Sequence, residues 1–346
     1  MRAYLDHNAT TPLRPEAREA MIAAMDVVGN PSSVHAEGRK AKSLLEKARA
    51  DVASAFGADG ADVIFTSSAT EAAALAMEGR GFSGSSVEHD AVRAWIENEI
   101  PTAADGSVTV DDPAKATLQI ANSETGIVQK LPQGLALCDA TQAFGKLPIA
   151  FNWLGCDMAI VSAHKLGGPK GIGALVVKRG TDVQARLKGG GQEMGRRAGT
   201  ENIIGAAGFA AAATAAVRDL DAGVWDAVKR LRDLLETTLA DAAPDTIFIG
   251  KDADRLPNTS CLAVPGWKGE TQVMQMDLAG YAISAGSACS SGKVKASAVL
   301  TAMGYDATVA SSAIRVSLGP ENTEEQVLGF ANKWLTQLEK YRAKAA

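Results

Sequence analysis

The sequence has few cysteines, histidines and aromatic residues, and it has no cluster of basic residues. It contains four cysteines, four histidines and 5% aromatic residues, with a net charge of −5. The cysteines, at positions 138, 156, 261 and 289, form no Cys-x-x-Cys pair, so no structural zinc site is expected. Binding to nucleic acid would need clustered Lys and Arg, so we expect neither a metal site nor a nucleic-acid surface.

Long apolar runs are also missing. No uninterrupted apolar stretch reaches the roughly 20 residues of a membrane span, and the first six residues contain no apolar signal core. A chain of 346 residues with 46% hydrophobic content has room for a large core and about two domains. We therefore expect a soluble, cytoplasmic protein without a membrane partner, whose cysteines stay reduced.

Short β-rich runs alternate with helical patterns along the chain. Near-continuous apolar strands separated by helices predict an α/β fold, in which helices cover both faces of a mostly parallel sheet. The predicted strands are 62–66, 117–121, 135–139, 158–162, 173–177, 260–264 and 281–284. The predicted helices are 15–27, 36–56, 203–220, 224–242 and 324–342.

A break in the helical pattern at Asp221-Ala222-Gly223 indicates a domain boundary. Residues 15–220 would form the large domain, which holds the longest series of predicted strands. Residues 221–346, together with 1–14, would form a smaller α+β domain. The chain shows no internal repeat and no long linker that would suggest a different division.

Several polar residues stand directly after predicted strands, at the carboxyl ends where open α/β sheets bind ligands. Lys165 follows the apolar run 158–161, and a lysine fixed there can hold an aldehyde cofactor as a Schiff base. Asp139 ends the run 135–138. Its carboxylate could keep the ring nitrogen of pyridoxal phosphate protonated, or it could simply cap the next helix.

A third strand end leads into small hydroxylic residues and an Ala-rich helix. Ser68 and Glu71 have the spacing of a capping box, which predicts a helix start at this point. Free backbone N–H groups at a helix start, together with the Thr70 hydroxyl, can bind a phosphate. Many helices begin this way without a ligand, so the cluster alone leaves both interpretations open.

The glycine-rich stretches do not indicate a nucleotide site. No Gly-Lys pair is followed by Ser or Thr, which excludes a P-loop, and Gly189 to Gly195 lacks the G-x-G-x-x-G spacing.

Taken together, these segments resemble the class V, fold-type I pyridoxal-phosphate enzymes, and within them the cysteine desulfurases of the NifS and IscS kind. The resemblance extends over nearly the whole chain. The resemblance rests on residues 4–12 (YLDHNATTP), 29–35 (GNPSSVH), 162–171 (SAHKLGGPKG), 189–202 (GGGQEMGRRAGTEN), 284–289 (SAGSAC) and 314–319 (IRVSLG).

The resemblance implies a site for pyridoxal 5′-phosphate. Lys165 matches the Schiff-base lysine, Asp139 the partner of the ring nitrogen, and Gln142 the donor to the 3′ oxygen. The residues implied to hold the phosphate are the Ala69 backbone, Thr70, Ser162, His164 and, from a second subunit, Thr200. A homodimer with shared active sites is therefore expected.

The resemblance assigns three further residues around the ring and the substrate. His89 matches a histidine that stacks on the ring and carries protons, although a solvated histidine at a helix start is the simpler interpretation of its local sequence. Arg315 matches the clamp for the α-carboxylate of L-cysteine, which a planar guanidinium suits. Asn122 matches a second contact to the carboxylate and ring, or it is only a turn former.

Cys289 decides the reaction. Its surroundings, Gly286-Ser287-Ala288-Cys289-Ser290-Ser291-Gly292, are small and polar, as is usual around reactive thiols, whereas the other cysteines lie in apolar surroundings. The resemblance implies that L-cysteine is converted to L-alanine, that Cys289 carries the sulfur as a persulfide, and that a sulfur-acceptor protein such as an iron–sulfur scaffold receives it. Lys165 is implied to remove the Cα proton of the substrate.

The chain departs from the family at 79–89, 89–117 and 123–138, which look shortened. We expect one sheet face to be less covered there, with altered dimer or partner contacts. Two other functions remain open: a related class V enzyme, such as a selenocysteine lyase or an aminotransferase, and a sulfur-handling scaffold without a cofactor.

Overall fold

The computed structural model describes residues 2–286 and 296–345, so Cys289 lies outside the described residues. The helices are α1 Pro15–Met25, α2 Ala36–Ala55, α3 Ala69–Met77, α4 Asp90–Arg93, α5 Phe151–Leu154, α6 Ile203–Asp221, α7 Val224–Ala242, α8 Gly269–Leu278, α9 Ala298–Ala302, α10 Ala307–Ser312 and α11 Glu324–Ala345. The strands are β1 Ala3–Tyr4, β2 Asp62–Thr66, β3 Ser83–Ser85, β4 Asn98–Ile100, β5 Thr117–Gln119, β6 Leu135–Asp139, β7 Cys156–Ser162, β8 Gly173–Val177, β9 Ile247–Phe248, β10 Thr259–Ala263, β11 Tyr281–Ala282, β12 Ser284–Ala285 and β13 Ala313–Ser317.

The central sheet has five strands in the order β2-β8-β7-β6-β5. β5, β6 and β7 pair in parallel, whereas β8 runs antiparallel to both of its neighbours, β7 and β2. Four of the five strands therefore point the same way, and the prediction of a mostly parallel sheet is confirmed. β2, β5, β6 and β7 end at one edge of the sheet, and β8 begins there.

Helices cover both faces of this sheet, so successive strand residues are buried on opposite sides. Ile64 and Leu175 belong to the apolar cluster that contains α3, whereas Val63 and Val176 belong to the cluster that contains parts of α2 and α6. This double burial explains why the strands read as continuous apolar runs rather than as alternating patterns.

The shortened segments contain little helix. Residues 79–117 form the small parallel sheet of β3 and β4, the single turn α4 and a 3-10 turn. Residues 123–134 contain no helix and pass directly into β6. The helices on the α3 face, α3 and α4, have 9 and 4 residues, against 20 and 19 for α2 and α6 on the other face.

A second, antiparallel sheet lies in the C-terminal part of the chain, with the order β12-β13-β10-β9. Its own core contains Trp267, Phe330 and Trp334, and it also takes in Leu5 from the N-terminal segment. The strands of this sheet fall within the residues predicted for the smaller domain, and the two-domain division at 221–223 stays a prediction.

α6 is 19 residues long with a mean hydropathy of 1.4, and by length and composition alone it could cross a membrane. Half of this helix is buried, and Ala206, Phe209 and Ala213 pack in the same core as residues of α2 and the sheet. A core helix has the same composition, so the feature is weak evidence for a membrane span.

Gly173, the first residue of β8, lies where three elements meet at the sheet edge. A Cβ atom built there would come within 2.8 Å of both the Ser68 carbonyl carbon and the Val161 oxygen, and within 2.9 Å of the Ala69 nitrogen. These are backbone atoms, so they cannot move aside as a flexible side chain would. Only glycine lets β8 start this close to the beginning of α3.

We expect Gly173→Ala to lower the free energy of unfolding by about 1–3 kcal/mol, because the added methyl overpacks a rigid junction. Gly191→Ala is the control: a Cβ there meets nothing within 4 Å, and the change should stay within about 0.5 kcal/mol. Urea unfolding followed by circular dichroism measures both. Equal stabilities of the two variants would contradict the crowding at Gly173.

Candidate active site

A cavity of about 330 Å³ opens at the edge where the strands of the central sheet end. It is lined by most of the predicted site residues: Ala69, Thr70, His89, Asp139, Gln142, Ser162, His164, Lys165 and Arg315. Asn8, Gln119 and Ser123 also border it. Residues far apart in the sequence thus converge on one space, as the strand-end positions predicted.

Lys165 lies in the connection between β7 and β8, which the N-terminal segment holds from outside. The backbone carbonyls of His164, Lys165 and Leu166 accept hydrogen bonds from Thr11 and Arg14. The Lys165 Nζ donates to the carbonyl oxygens of Asn8 at 2.5 Å and Ala9 at 2.9 Å. The amine therefore lies at the cavity wall, and the N-terminal segment fixes the backbone of Lys165.

Asp139 is buried at the end of β6 and borders the cavity. Its Oδ1 accepts a hydrogen bond from the Thr141 backbone N–H at 2.8 Å. The carboxylate thus stabilises the turn after the strand, the simpler role considered above, while it also faces the cavity. Gln142, in the same turn, donates from Nε2 to the Asn8 carbonyl oxygen at 2.9 Å.

The start of α3 provides hydrogen-bond donors at another part of the cavity. Ser68 is its N-cap and accepts from the Glu71 N–H, which confirms the predicted helix start. Beside it, Ser162 ends β7, and the His164 Nδ1 lies 3.1 Å from the Thr10 hydroxyl. Burial and then the charge of Lys165 lower the pKa of His164 to about 4, so its imidazole is neutral at pH 7.

His89 combines the two interpretations of its sequence. Its Nδ1 accepts a hydrogen bond from the Ala91 N–H at 3.1 Å, which makes it the N-cap of α4. The side chain also borders the cavity. The cap fixes the tautomer, because the accepting Nδ1 carries no proton, so in the neutral ring the proton is on Nε2.

Arg315 reaches the cavity from the second sheet. It is only 3% exposed, and its guanidinium donates to Asp6 Oδ1 at 2.8 Å and to the Ser123 carbonyl oxygen at 2.9 Å. Its Nε is buried without a hydrogen-bond partner. A buried cationic N–H without an acceptor is costly, and the guanidinium as a whole borders the cavity, where it can meet a carboxylate.

Asn122 does not line the cavity, although its neighbours Ala121 and Ser123 do. Its Nδ2 donates to the Val87 carbonyl oxygen, and its Oδ1 accepts from the N–H groups of Glu124 and Thr125. The amide is thus engaged in the turn, which is the alternative that the sequence left open. Its predicted contact with ring and substrate stays a prediction.

Thr200 is exposed and lies outside the cavity of its own chain. It borders a separate space of about 220 Å³ with Ser67 and Arg197. Arg197 pairs with Glu71 in the first turn of α3 at 2.8 Å, and Glu193 pairs with Arg49 of α2 at 2.5 Å. These ion pairs hold the segment that carries Thr200 against the start of α3.

Four residues at or near the site were given no role from the sequence: Asn8, Glu88, Gln119 and Lys146. Asn8 stood inside one of the motifs that carry the resemblance, which was a usable signal. Lys146 was considered only against the P-loop pattern. Glu88 and Gln119 had no signal of their own: Gln119 lies beside Asp139 only when β5 and β6 pair, and Glu88 joins them through its hydrogen bond from the Gln119 N–H.

Glu88 is buried, and only one of its carboxyl oxygens is engaged. Oε1 accepts from the Gln119 N–H at 2.7 Å, whereas Oε2 is buried without a hydrogen-bond partner. Burial and then the negative charge of Asp139 raise the pKa of Glu88 from 4.5 to about 8. At pH 7 the site therefore holds a neutral Glu88 beside the Asp139 carboxyl.

Because the folded-state pKa of Glu88 is raised, its contribution to stability is complete below pH 4.5 and is lost as the pH rises through about 8. Glu88→Gln removes this titration. Relative to the variant, wild-type protein should lose up to about 1.4 kcal/mol per pH unit across that window. Urea unfolding from pH 5 to 8 measures the difference. The exposed Glu19→Gln is the control, and a Glu88→Gln profile as parallel to wild type as that of the control would contradict a neutral Glu88.

In residues 2–286 and 296–345, no group of three or more His, Cys, Asp or Glu side chains is placed to hold a metal ion.

The sequence profile of the family described as class-V aminotransferases matches residues 3–95 and 107–330. A cysteine desulfurase of Cereibacter sphaeroides is 39% identical, over 94% of this chain and 93% of that protein. The solved structure of a NifS-like protein from Rickettsia africae superposes with a TM-score of 0.89 at 30% identity, over 98% of this chain and all of that one. A structure described as SspA in complex with cysteine has a TM-score of 0.74 at 26% identity, over 93% of this chain and all of that one.

The matches cover nearly the whole chain, and they coincide with a cavity that brings the lysine, aspartate and arginine of the sequence motifs together. Class-V enzymes depend on pyridoxal phosphate as a family. The sequence, the fold and the site thus lead to the same result, and the chain belongs to the class-V aminotransferase family, among its cysteine desulfurases.

Proposed function

We propose that this protein removes the sulfur of L-cysteine with the help of pyridoxal phosphate, releases L-alanine and retains the sulfur as a persulfide on Cys289. The observation that carries the proposal is the convergence of Lys165, Asp139 and Arg315 on one cavity at the strand ends. The three side chains suit an aldehyde, a pyridine nitrogen and a carboxylate, in that order.

The donor set of the cavity fits pyridoxal 5′-phosphate. The N–H groups at the start of α3, with Thr70, Ser162 and His164, would hold the phosphate, and the neutral His164 adds no charge of its own. Asp139 would face the ring nitrogen, Gln142 the 3′ oxygen and His89 the ring face. When bound, the cofactor withdraws electrons from the substrate carbon that loses its proton.

Lys165 has two tasks in this proposal. Its amine would hold the aldehyde of the cofactor, and it would also take the Cα proton of L-cysteine. The carbonyl oxygens of Asn8 and Ala9, at 2.5 and 2.9 Å from its Nζ, support this role because they hold the amine at the cavity wall. Arg315, which borders the cavity, would fix the substrate carboxylate through its guanidinium.

Cys289 lies outside the described residues, and the chain that precedes it supports the proposal. β12 pairs with β13 so that Ser284 is the register partner of Arg315, and Cys289 follows five positions further along the chain. Its thiolate would bond to the substrate Sγ as the Cβ–Sγ bond breaks, and protons then complete the methyl group of L-alanine. One cysteine and one thiol thus become one alanine and one persulfide.

We propose that the enzyme works as a homodimer with shared sites, in which Thr200 of each subunit completes the phosphate site of its partner. The exposed position of Thr200, away from the cavity of its own chain, supports this arrangement. The proposed recipient of the persulfide is a sulfur-acceptor protein, with an iron–sulfur scaffold as the first candidate. The proposed location is the cytoplasm, where thiols such as buried Cys138 and Cys261 stay reduced.

Cys289→Ser should separate cofactor chemistry from sulfur transfer. The variant should still bind pyridoxal phosphate and change its visible band when L-cysteine is added, because Lys165 and Asp139 are intact. It should lose at least about 100-fold in alanine formation, because a hydroxyl is a poor nucleophile toward sulfur. Single-turnover mixing, with the band and alanine followed together, measures both effects.

Lys165→Ala is the matched control for this experiment, and it should lose the band and the alanine together. Alanine release at the wild-type rate from Cys289→Ser would move the sulfur chemistry to another residue, or make the enzyme a lyase that needs no acceptor thiol. A wild-type protein that develops no visible band with pyridoxal phosphate would refute the cofactor itself.

Hybrid dimers should test the shared site. A Lys165→Ala subunit paired with a Thr200→Glu subunit should regain one working site, because the intact Lys165 then meets the intact Thr200 of its partner. A Lys165→Ala subunit paired with an Asp139→Ala subunit is the control without recovery, since both residues line the same chain's cavity. Alanine production by purified hybrids measures recovery. Absence of recovery in the first pair would contradict a Thr200 donated by the partner.

A further inference from the structure

Lys146 is a buried lysine to which the proposed mechanism gives no role. It ends the turn that follows β6, is 2% exposed and does not line the cavity. Its Nζ donates to the Gln142 Oε1 at 2.8 Å and to the Asn8 Oδ1 at 3.1 Å. Both acceptors belong to residues that border the cavity, so the amine lies directly behind its wall.

The surroundings of Lys146 favour an uncharged amine. Both of its acceptors are amide oxygens, and no carboxylate of the described residues comes within salt-bridge distance. The ionisable groups that face it are His7, Lys165 and Arg315, and none of them carries a negative charge. The two N–H groups of a neutral amine match the two acceptors, whereas an ammonium would be buried without a counter-ion.

The pKa of Lys146 points the same way. Burial, and after it the positive charges of Lys165 and Arg315, lower it well below its ordinary value.

The two ends of the Gln142 amide are fixed by different partners. Lys146 donates to Oε1, and Nε2 donates to the Asn8 carbonyl oxygen at 2.9 Å. A flipped amide would set its oxygen against that carbonyl oxygen, which is unfavourable. The same carbonyl accepts the Lys165 Nζ at 2.5 Å. A chain of hydrogen bonds therefore connects the buried lysine to the lysine of the cavity.

The Asn8 side chain is fixed as well. Its Oδ1 accepts from Lys146 and, at 3.1 Å, from the Asn258 Nδ2. Its own Nδ2 donates to the Thr259 hydroxyl at 2.8 Å and to the Ser123 carbonyl oxygen at 3.2 Å. Loss of Lys146 therefore leaves Asn8 with partners, whereas the Gln142 Oε1 would lose its recorded donor.

We propose that Lys146, as an uncharged amine, is a positioning residue that holds the Gln142 amide with its NH2 group toward the cavity wall. Gln142 then offers N–H donors both to the carbonyl that it shares with Lys165 and to a cofactor oxygen. The second of these roles rests on the proposed function, whereas the charge state of Lys146 does not.

The charge state is tested on protein without cofactor, by comparing wild type with Lys146→Met. A lowered pKa in the folded state means that the unfolded chain binds the additional proton below about pH 10.4. Wild type should therefore become more stable relative to the variant as the pH rises. Its unfolding equilibrium constant, divided by that of the variant, should fall by up to tenfold per pH unit between pH 7 and 10. Lys40→Met, at an exposed lysine, should stay parallel to wild type.

A Lys146→Met profile that is parallel to wild type up to pH 9 would overturn the uncharged amine. If Lys146→Met does not fold, Lys146→Gln serves the same comparison, because it too is uncharged at every pH. Lys146→Arg adds a charge that cannot be removed, and it should unfold at lower urea than either uncharged variant.

The positioning role is tested on protein loaded with pyridoxal phosphate. Without the Gln142 N–H, the cofactor's phenolic oxygen is less stabilised as an anion, so Lys146→Met should shift absorbance from the visible band to the near-ultraviolet band and speed cofactor loss several-fold. Gln142→Leu should do the same, and the double variant should add little. Additive effects, or an unchanged spectrum in Lys146→Met, would overturn the role through Gln142.

The two failures remain distinguishable. A wild-type protein without a visible band refutes the proposed cofactor, while the unfolding profiles still decide the charge of Lys146.

Discussion

The site depends on the N-terminal segment, above all on the carbonyl oxygen of Asn8. This single acceptor receives both the Lys165 amine and the Gln142 amide. The Asn8 side chain also forms hydrogen bonds with Asn258, which precedes the second sheet, and with Thr259, which lies in that sheet. Removal of this segment would leave Lys165, Gln142 and the two sheets without the contact that they share.

The same segment also connects the two sheets through charge. Asp6 accepts hydrogen bonds from Arg315 of β13 and Ser284 of β12. Arg14, at the other end of the segment, pairs with Asp219 of α6 and donates to the Leu166 carbonyl oxygen. Partly buried pairs of this kind contribute little net stability, but they fix orientation. Arg315 and the connection that carries Lys165 are thus held by one stretch of chain.

Much of this arrangement is readable from the sequence, because the strands of the central sheet are buried on both faces. Continuous apolar runs marked the strands, and the polar residues that follow them marked the cavity. The sequence predicts Asp139 and Lys165 in this way. It does not predict the reversed direction of β8, since an apolar run has the same appearance in either direction.

The omissions and the alternatives that stayed open have one physical cause. Lys146, Glu88 and Asn122 act through neighbours that are close only in the folded chain, and a local pattern carries no such information. Asn122 illustrates the point: its position after a strand fits a ligand contact equally well, but the N–H groups of Glu124 and Thr125 are nearer partners. A turn-forming amide satisfies itself locally before any ligand is present.

The reversed direction of β8 also affects how the Lys165 side chain moves. Because β7 and β8 pair antiparallel, the connection that carries Lys165 is closed at its base, where the Ala163 N–H donates to the Ile172 carbonyl oxygen. Its outer carbonyls are bonded to Thr11 and Arg14. The Lys165 amine therefore moves by its side-chain torsions alone, a freedom worth at most about 2 kcal/mol. Any displacement of this amine is a local rotation rather than a refolding of the loop.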